Sequence, residues 1–196
     1  TATTSTAVDH DNVFSIYDFD FPEIEIKASI AELDYHKYIL RNVKADIKSE
    51  SNHFIRINKL AMNTAGGHFD ISGYLNGKDK KHIYLNPEIK VTGVDLDKLM
   101  VKFDNFGQDQ LLSENLHGKF TGTITGKIHL HADLVPKIDD SELSIEMQVL
   151  NGKLEKFGPI LALSNYFEDS KLKSVVFDTL QNTFTLKNGN ISIPAM

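Results

Sequence analysis

One stretch of seventeen residues alternates strictly between apolar and polar positions, and it constrains the fold more than any other feature. In LHGKFTGTITGKIHLHA, positions 116–132, every even position is apolar or glycine and every odd position is polar. A period of two is typical of a β-strand with one buried apolar face and one solvent-exposed polar face. A two-residue hairpin would invert the phase, so the pattern predicts one very long strand, or two strands joined by a loop of odd length. At roughly 3.3 Å per residue, a single strand would span roughly 50 Å.

On the apolar face of this stretch, glycines alternate with large apolar residues. Glycine has no Cβ, so Gly118, Gly122 and Gly126 are expected to allow curvature or a close approach of another segment. The large residues on the same face are the candidates for lining a groove that holds an apolar ligand. These candidates are Phe120, Ile124, Ile128 and Leu130.

A period of two also dominates the rest of the chain. Apolar residues share one parity in three further segments: Ile24, Ile26 and Ile30 in PEIEIKASI; Val43, Ala45 and Ile47 in LRNVKADIKSE; and Ile83, Leu85, Ile89 and Val91 in HIYLNPEIKV. Pro87 interrupts the last of these segments, which favours an edge strand or a bulge because proline has no N–H to donate. The sequence therefore predicts a mainly β (α+β) fold, with a long, curved antiparallel sheet built from hairpins.

Two or three short helices are expected to pack on this sheet. The first prediction covers residues 95–104, where Leu96, Leu99, Met100 and Phe103 share one helical face and Asp95 suits the N-cap. The second covers residues 159–168, and Pro159 suits its first position.

Three Asn-Gly pairs indicate hairpin turns, because both residues tolerate a positive φ angle. Gly152 and Gly189 are accordingly predicted to be structural glycines, whereas Asn76-Gly77 fits a two-residue turn less well because the charged KDKK follows it. The predicted apolar partners are Leu186 with Ile191, Phe184 with Ile193, Val149 with Leu154 and, across a longer loop, Ile71 with Leu85.

Composition narrows the classes of function. The chain of 196 residues has a formal net charge of −6 and no Cys. An acidic chain without a Lys/Arg cluster argues against binding to nucleic acid and to anionic lipid head groups. Without Cys there is no thiolate metal site, no Cys nucleophile and no disulfide.

Residues 1–12 are predicted to be a flexible linker because TATTSTAVDHDN is rich in small polar residues and has no period. An N-terminal β-rich part is expected at 13–112, and a second part at 113–196. No apolar run approaches the roughly 18 residues needed to span a bilayer.

No catalytic motif emerges from the sequence. GKFTGTITGK fails as a phosphate loop because Ile128 follows Lys127 where Ser or Thr is needed. The acidic pairs lack the Gly and terminal Glu of a calcium loop. His129 and His131 would share one strand face, as in some metal sites, but the alternation favours a solvated polar face. We therefore expect no enzymatic activity, no metal and no cofactor; the alternative is a hydrolase that uses this histidine pair.

The last third of the chain resembles the C-terminal region of the AsmA-like family, which is similar to TamB-type envelope proteins. That region reads a strand, Asn-Gly, a strand, Gly-Pro opening a short helix, and a block ending in Asn-Gly and Pro. Upstream, LRNVKADIKS, VTGVDLDKL and LHGKFTGTITG resemble longer members from Bacteroidetes, so the likeness covers roughly residues 20–196. The matching residues are Asn151, Gly152, Gly158, Pro159, Phe177, Leu180, Phe184, Asn188, Gly189, Ile191 and Pro194.

This resemblance implies a non-enzymatic periplasmic module of a Gram-negative envelope protein, anchored in the inner membrane by an N-terminal helix. It implies a role in outer-membrane biogenesis through transport of phospholipid, whose acyl chains lie along an apolar β-groove. The alternative is a scaffold that assembles outer-membrane proteins by adding their strands to its own sheet. The resemblance also implies that the sheet continues past Met196.

Overall fold

The sheet accounts for nearly all of the described structure. The computed structural model describes residues 15–35, 38–102, 113–156 and 174–192. Within them, nine strands form one open, curved antiparallel sheet whose spatial order follows the sequence, and the mainly β prediction is confirmed. A helix α1 (Leu96–Lys102) follows β5, and a 3₁₀ turn (Ile16–Asp18) precedes β1. The strands are β1 (Ile24–Tyr35), β2 (Tyr38–Glu50), β3 (Phe54–Thr64), β4 (Gly67–Asn76), β5 (Tyr84–Asp95), β6 (Leu116–Leu130), β7 (Pro136–Glu155), β8 (Ser174–Lys187) and β9 (Asn190–Ser192).

The long alternating stretch is one strand from Leu116 to Leu130, which is the first of the two predicted alternatives. β6 has 15 residues and pairs with β5 on one side and with β7 on the other. β7 is longer still, with 20 residues. The β5–β6 pairing also joins the two parts of the chain, 13–112 and 113–196, in a single sheet.

The register places apolar residues opposite one another across the whole sheet. One row runs through eight consecutive strands and consists of Ala28, Ala45, Leu60, Ile71, Ile89, Ile124, Ile145 and Phe184. The next row on the opposite side of β4–β8 consists of Asp70, Lys90, Thr123, Glu146 and Thr183. We call the side that carries the first row the apolar face and the other side the polar face.

Register shifts interrupt four of the strand pairings. They occur between β2 and β3, β3 and β4, β5 and β6, and β6 and β7. An extra residue on one strand increases the local twist and bends the sheet. These shifts are a physical cause of the curvature.

The predicted hairpin at Asn151-Gly152 is wrong. β7 runs straight through this pair, so Val149 and Leu154 lie in the same strand and are not partners. Asn151 has a φ of 51°, and the β6–β7 register shifts at this point while β8 stays in step with β7. Asn151 and Gly152 form a bulge and not a turn, because β6 and β8 pair with β7 on both sides.

Of the other two Asn-Gly pairs, Asn188-Gly189 forms a turn and Asn76-Gly77 begins a longer loop. Asn188-Gly189 joins β8 to β9 and sets Leu186 opposite Ile191, as predicted; Ile193 lies outside the described residues. After Asn76 the chain makes a longer loop, so Ile71 pairs with Ile89, and the prediction that it faces Leu85 is wrong. Leu85 pairs with Leu75, which keeps both pairs on the apolar face.

Pro87 lies in an interior strand, contrary to the prediction of an edge or a bulge. β5 pairs with β4 and β6, and Gly73 faces Pro87 without a register shift. The carbonyl oxygen of Asn86 lies against Gly73 of β4. Because the backbone groups of successive residues in a strand point to opposite neighbours, the nitrogen of Pro87 points toward β6, where Gly126 lies opposite. The amide Nδ2 of Asn86 donates to the carbonyl oxygen of Gly126 at 2.9 Å. This side-chain hydrogen bond replaces the one that proline cannot make.

α1 is the described counterpart of the first predicted helix. It occupies Leu96–Lys102, and Asp95 is the last residue of β5. The predicted linker 1–12, the second helix at 159–168 and Phe103 lie outside the described residues.

The Asn86 interaction can be tested with a double-mutant cycle. We expect Asn86→Ala to lower the free energy of unfolding by about 1 kcal/mol, because the carbonyl of Gly126 loses its donor. In a Pro87→Ala background, the restored N–H supplies a donor, so the same Asn86→Ala change should cost less. Urea denaturation of the four chains measures both costs.

The exposed Asn190, which donates to the carbonyl of Asn188, provides the control Asn190→Ala. Equal costs of Asn86→Ala in both backgrounds would show that the amide does not compensate for proline.

Candidate apolar groove

The apolar face holds a cavity of about 590 Å³. Strands β2 to β7 form its floor, and two residues of α1 contribute to its wall. All of its lining side chains except one threonine are aliphatic, aromatic or thioether groups. We call this cavity the groove; its lining residues are Leu40, Met62, Thr64, Phe69, Ile71, Ile89, Val91, Leu96, Leu99, Phe120, Ile124, Ile145 and Met147.

α1 is held against the apolar face by its own apolar side. Leu96, Leu99 and Met100 are buried, and the first two belong to a cluster with Val94 and Val149. The helix begins directly after β5 and packs on β5 and β6. Leu96 and Leu99 thus form one wall of the groove.

The structure divides the four predicted groove residues between two places. Phe120 and Ile124 line the groove. Leu130 belongs to a second buried cluster, and Ile128 packs against that cluster. All four side chains are on the apolar face, but only the first two contact the cavity.

The predicted structural glycines occupy sites of close contact. Gly126 has a φ of +145°, and a Cβ there would collide with the carbonyl oxygen of Glu142 in β7. The ring of Phe177 packs directly over Gly152, where a Cβ would overlap it. Gly118 and Gly122 lie in β6, and Gly189 lies in the β8–β9 turn.

One end of the apolar face is closed by the second cluster. Ile16, Leu75, Ile83 and Leu130 are all buried there. A strap formed by residues 15–21 carries Ile16 into this cluster. Its backbone N–H at Ile16 donates to the carbonyl of Ala132 at 2.9 Å, and the hydroxyl of Tyr17 donates to the carbonyl of Gly77 at 2.6 Å. We call this the closed end.

A polar pocket of about 760 Å³ lies around the β3–β4 turn. The cross-strand pairs of Arg41, Asn63, His68 and Thr92 place these side chains on the polar face. Both cavities touch Thr64, and elsewhere they are lined by sequence neighbours, such as Leu99 in the groove and Lys98 in the pocket. We call this the polar pocket; its lining residues are Ile39, Arg41, Asn63, Thr64, Ala65, Gly66, Gly67, His68, Thr92, Gly93 and Lys98.

Asp95 holds two lysines beside the polar pocket. Its carboxylate contacts Lys119 Nζ at 2.5 Å and Lys98 Nζ at 2.6 Å. The hydrogen bonds from Lys119 and then Lys98 lower the pKa of Asp95 below its usual value of 3.8, although partial burial opposes the shift. The carboxylate thus joins the end of β5 to α1 and β6.

The apolar face is also exposed along β1. The side chains of Ile24, Ile26 and Ile30 are 40%, 47% and 38% exposed. β1 is paired only with β2 among the described residues, so it is an edge strand. An apolar surface therefore continues from the groove to this edge.

The predicted histidine pair is not on one strand face. β6 ends at Leu130, so His129 belongs to the strand and His131 to the loop that follows. His129 lies beside the ring of Tyr84, with a centroid separation of 6.1 Å. Across residues 15–35, 38–102, 113–156 and 174–192, no three His, Cys, Asp or Glu side chains group as metal ligands.

Comparisons with models of protein families, with curated proteins and with solved structures find no match for this chain. The AsmA-like resemblance consequently stays a prediction. In the described segments, no helix has both the length and the apolarity needed to cross a bilayer.

Sequence reasoning missed most of the groove lining. Leu40, Met62, Phe69 and Met147 join Phe120 only through strand pairing. Met62, Phe69 and Met147 follow the alternation of their own strands, and this was the available signal. Leu40 is out of phase with Val43 and Ala45, and it joins the groove beyond the β2–β3 register shift between Arg41 and Lys44. Their meeting depends on the registers and bulges, which the alternation alone does not specify.

The ion pairs at Asp95 predict a pH dependence of stability. A lowered carboxyl pKa in the folded state stabilises the fold above the unfolded-state pKa, and this contribution is lost as the pH falls through the folded-state value. We expect Asp95→Asn to lower the free energy of unfolding by about 1 kcal/mol at pH 7. The two chains should converge in stability as the pH falls below the usual value of 3.8.

Thermal unfolding between pH 7 and pH 3 measures this convergence. The exposed Asp178 in β8 provides the control Asp178→Asn, which should leave the profile unchanged. A constant difference between wild type and Asp95→Asn over the whole range would contradict the ion-pair account.

Proposed function

We propose that this chain is a non-enzymatic module that binds phospholipid acyl chains along its apolar groove. One observation carries the proposal: a cavity of about 590 Å³ on the face of a curved sheet is lined almost wholly by hydrocarbon side chains. Such a surface favours an apolar ligand, since each buried CH₂ contributes about 0.8 kcal/mol. No charged side chain lines the cavity, and Thr64 carries its one hydroxyl.

The cellular role extends this proposal. We place the parent protein in the periplasm of a Gram-negative envelope, attached to the inner membrane by an N-terminal helix, where it moves phospholipid toward the outer membrane. These statements rest on the resemblance of the sequence to the AsmA-like family. The groove supports the lipid part of the role because its chemistry suits acyl chains.

A second candidate function is supported by the edge strand. β1 has 12 residues and leaves one row of backbone donors and acceptors unpaired in the described part of the chain. Such an edge can accept a strand from another protein. In this alternative, the module assembles outer-membrane proteins by pairing with their strands.

Lipid capture tests the first proposal. The purified chain is incubated with vesicles of phosphatidylcholine, separated from them, and analysed for bound lipid by native mass spectrometry. We expect bound phospholipid, and Ile124→Asn should reduce it by at least about fivefold, because an amide in an apolar site without a partner costs about 1–3 kcal/mol.

Thr125, the next residue of β6, is exposed on the polar face and provides the matched control Thr125→Asn. This control should retain the lipid. Absence of bound phospholipid from the unmodified chain would contradict the proposal. Equal loss of bound lipid in Ile124→Asn and Thr125→Asn would show that the lipid does not bind in the groove. Binding of unfolded outer-membrane protein, without lipid, would favour the edge-strand alternative.

A further inference from the structure

The outer side of β1 is an open edge in the described part of the chain. β1 pairs with β2 in one register from Ile24 to Tyr35, and no other described strand pairs with it. In an antiparallel ladder, successive residues direct their N–H and C=O groups to opposite sides. β1 therefore presents a row of donors and acceptors away from β2, and a further strand can complete this row.

Little on this strand blocks such pairing. Natural edges are commonly protected by a short strand, a proline, a bulge or free lysines. β1 has 12 residues, no proline and one lysine, Lys27, whose ammonium contacts the carboxylate of Glu25 at 2.7 Å. Its first half also exposes Ile24, Ile26 and Ile30 on the apolar face. The strand thus favours a partner that pairs with its backbone and covers its apolar side chains.

The first half of β1 is complementary to a second copy of itself. In an antiparallel pair centred on Ile26, this residue lies opposite its own copy, and Ile24 lies opposite Ala28 of the second copy. On the polar face, Glu25 lies opposite Lys27 of the second copy, and the two-fold symmetry repeats this pair. Opposite charges at facing positions stabilise the pairing of two strands.

Other registers are less favourable. A shift by one residue would set apolar side chains beside polar ones. A centre on Glu25 or on Lys27 would place identical charges opposite each other. A centre on Ala28 would set Lys27 opposite Ser29 and form no pair of opposite charges between these residues. Charge and parity together therefore select the centre on Ile26.

We propose that two copies of this chain associate through β1, antiparallel and centred on Ile26. The contact uses the same edge of both copies, so the association ends at a dimer. Both apolar faces then lie on the same side of one continuous sheet, with a groove in each half. The dimer does not depend on lipid binding, and the second copy occupies the edge that the alternative function offers to an outer-membrane protein.

Sedimentation equilibrium of the purified chain tests the association. We expect the average mass to rise with protein concentration toward twice the mass of one chain. The mass of a single chain at every concentration would overturn the proposal, and so would growth beyond two copies. Lipid is absent from this experiment, so its outcome is independent of the proposed lipid binding.

Charge reversal tests the two pairs between Glu25 and Lys27. Glu25→Lys and Lys27→Glu each place like charges opposite one another, so each variant alone should raise the dissociation constant of the dimer at least about fivefold. An equimolar mixture of the two variants should associate like the unmodified chain, because each positive strand then faces a negative one. Mixing would not repair a damaged fold, and circular dichroism verifies that both variants are folded.

Glu88 and Lys90 provide the matched control. They form the same kind of pair, two residues apart and at 2.9 Å, on the interior strand β5. Glu88→Lys and Lys90→Glu should each leave the dissociation constant unchanged. If they weaken the dimer as much as the β1 variants do, or if the β1 variants do not weaken it, the contact does not lie at β1 and the proposal is wrong.

Cysteine cross-linking tests the register. The chain has no Cys, and Ile26→Cys sets two thiols opposite one another with their Cβ atoms about 4.5–5.5 Å apart. This variant should form a disulfide-linked dimer under mild oxidation. In the control Ile24→Cys, on the same exposed face, the two thiols lie about 13 Å apart along the strands, beyond the reach of a disulfide. Equal cross-linking at both positions, or none at position 26, would contradict the proposed register.

Discussion

The alignment of side-chain parity across neighbouring strands is the constraint on which the rest of the structure depends. A slip of one residue in any pairing would move every apolar side chain of that strand to the polar face. The observed registers instead keep one uninterrupted apolar row from Ala28 in β1 to Phe184 in β8. The bulges bend the sheet without inverting this order, so curvature and a continuous apolar face exist together.

The groove follows from covering this face only in part. α1 buries Leu96 and Leu99 against the sheet, and the strap buries Ile16 at the closed end. Between them the floor is apolar, half-buried and wide enough for a cavity. The sides of the same sheet thus have separate roles: the polar face is solvated, and the apolar face presents the surface that we propose binds lipid.

Patterns within one strand were predictable from the sequence, whereas features set by two neighbouring strands were not. The length of β6, the placement of Phe120 and Ile124 on one face and the turn at Asn188-Gly189 follow from alternation and local turn chemistry. The bulge at Asn151 and the interior position of Pro87 do not, because strands on both sides override the local preference. Likewise, the polar pocket is lined by Arg41 and Lys98, which are far apart in sequence and come together only through the fold.

The central claim is that the groove is accessible to solvent in the free chain and becomes covered when lipid binds. Since the chain has no Cys, Ile124→Cys can carry a single environment-sensitive fluorophore, and Thr125→Cys provides the reference on the polar face. The account predicts that, without lipid, the fluorophore at position 124 has the emission wavelength of a solvent-exposed probe. Addition of phospholipid should shift this emission to shorter wavelength, while the emission of the fluorophore at position 125 stays unchanged. If the fluorophore at position 124 already has the emission of a buried probe without lipid, and lipid does not change it, the protein itself fills the groove. That result would contradict the account.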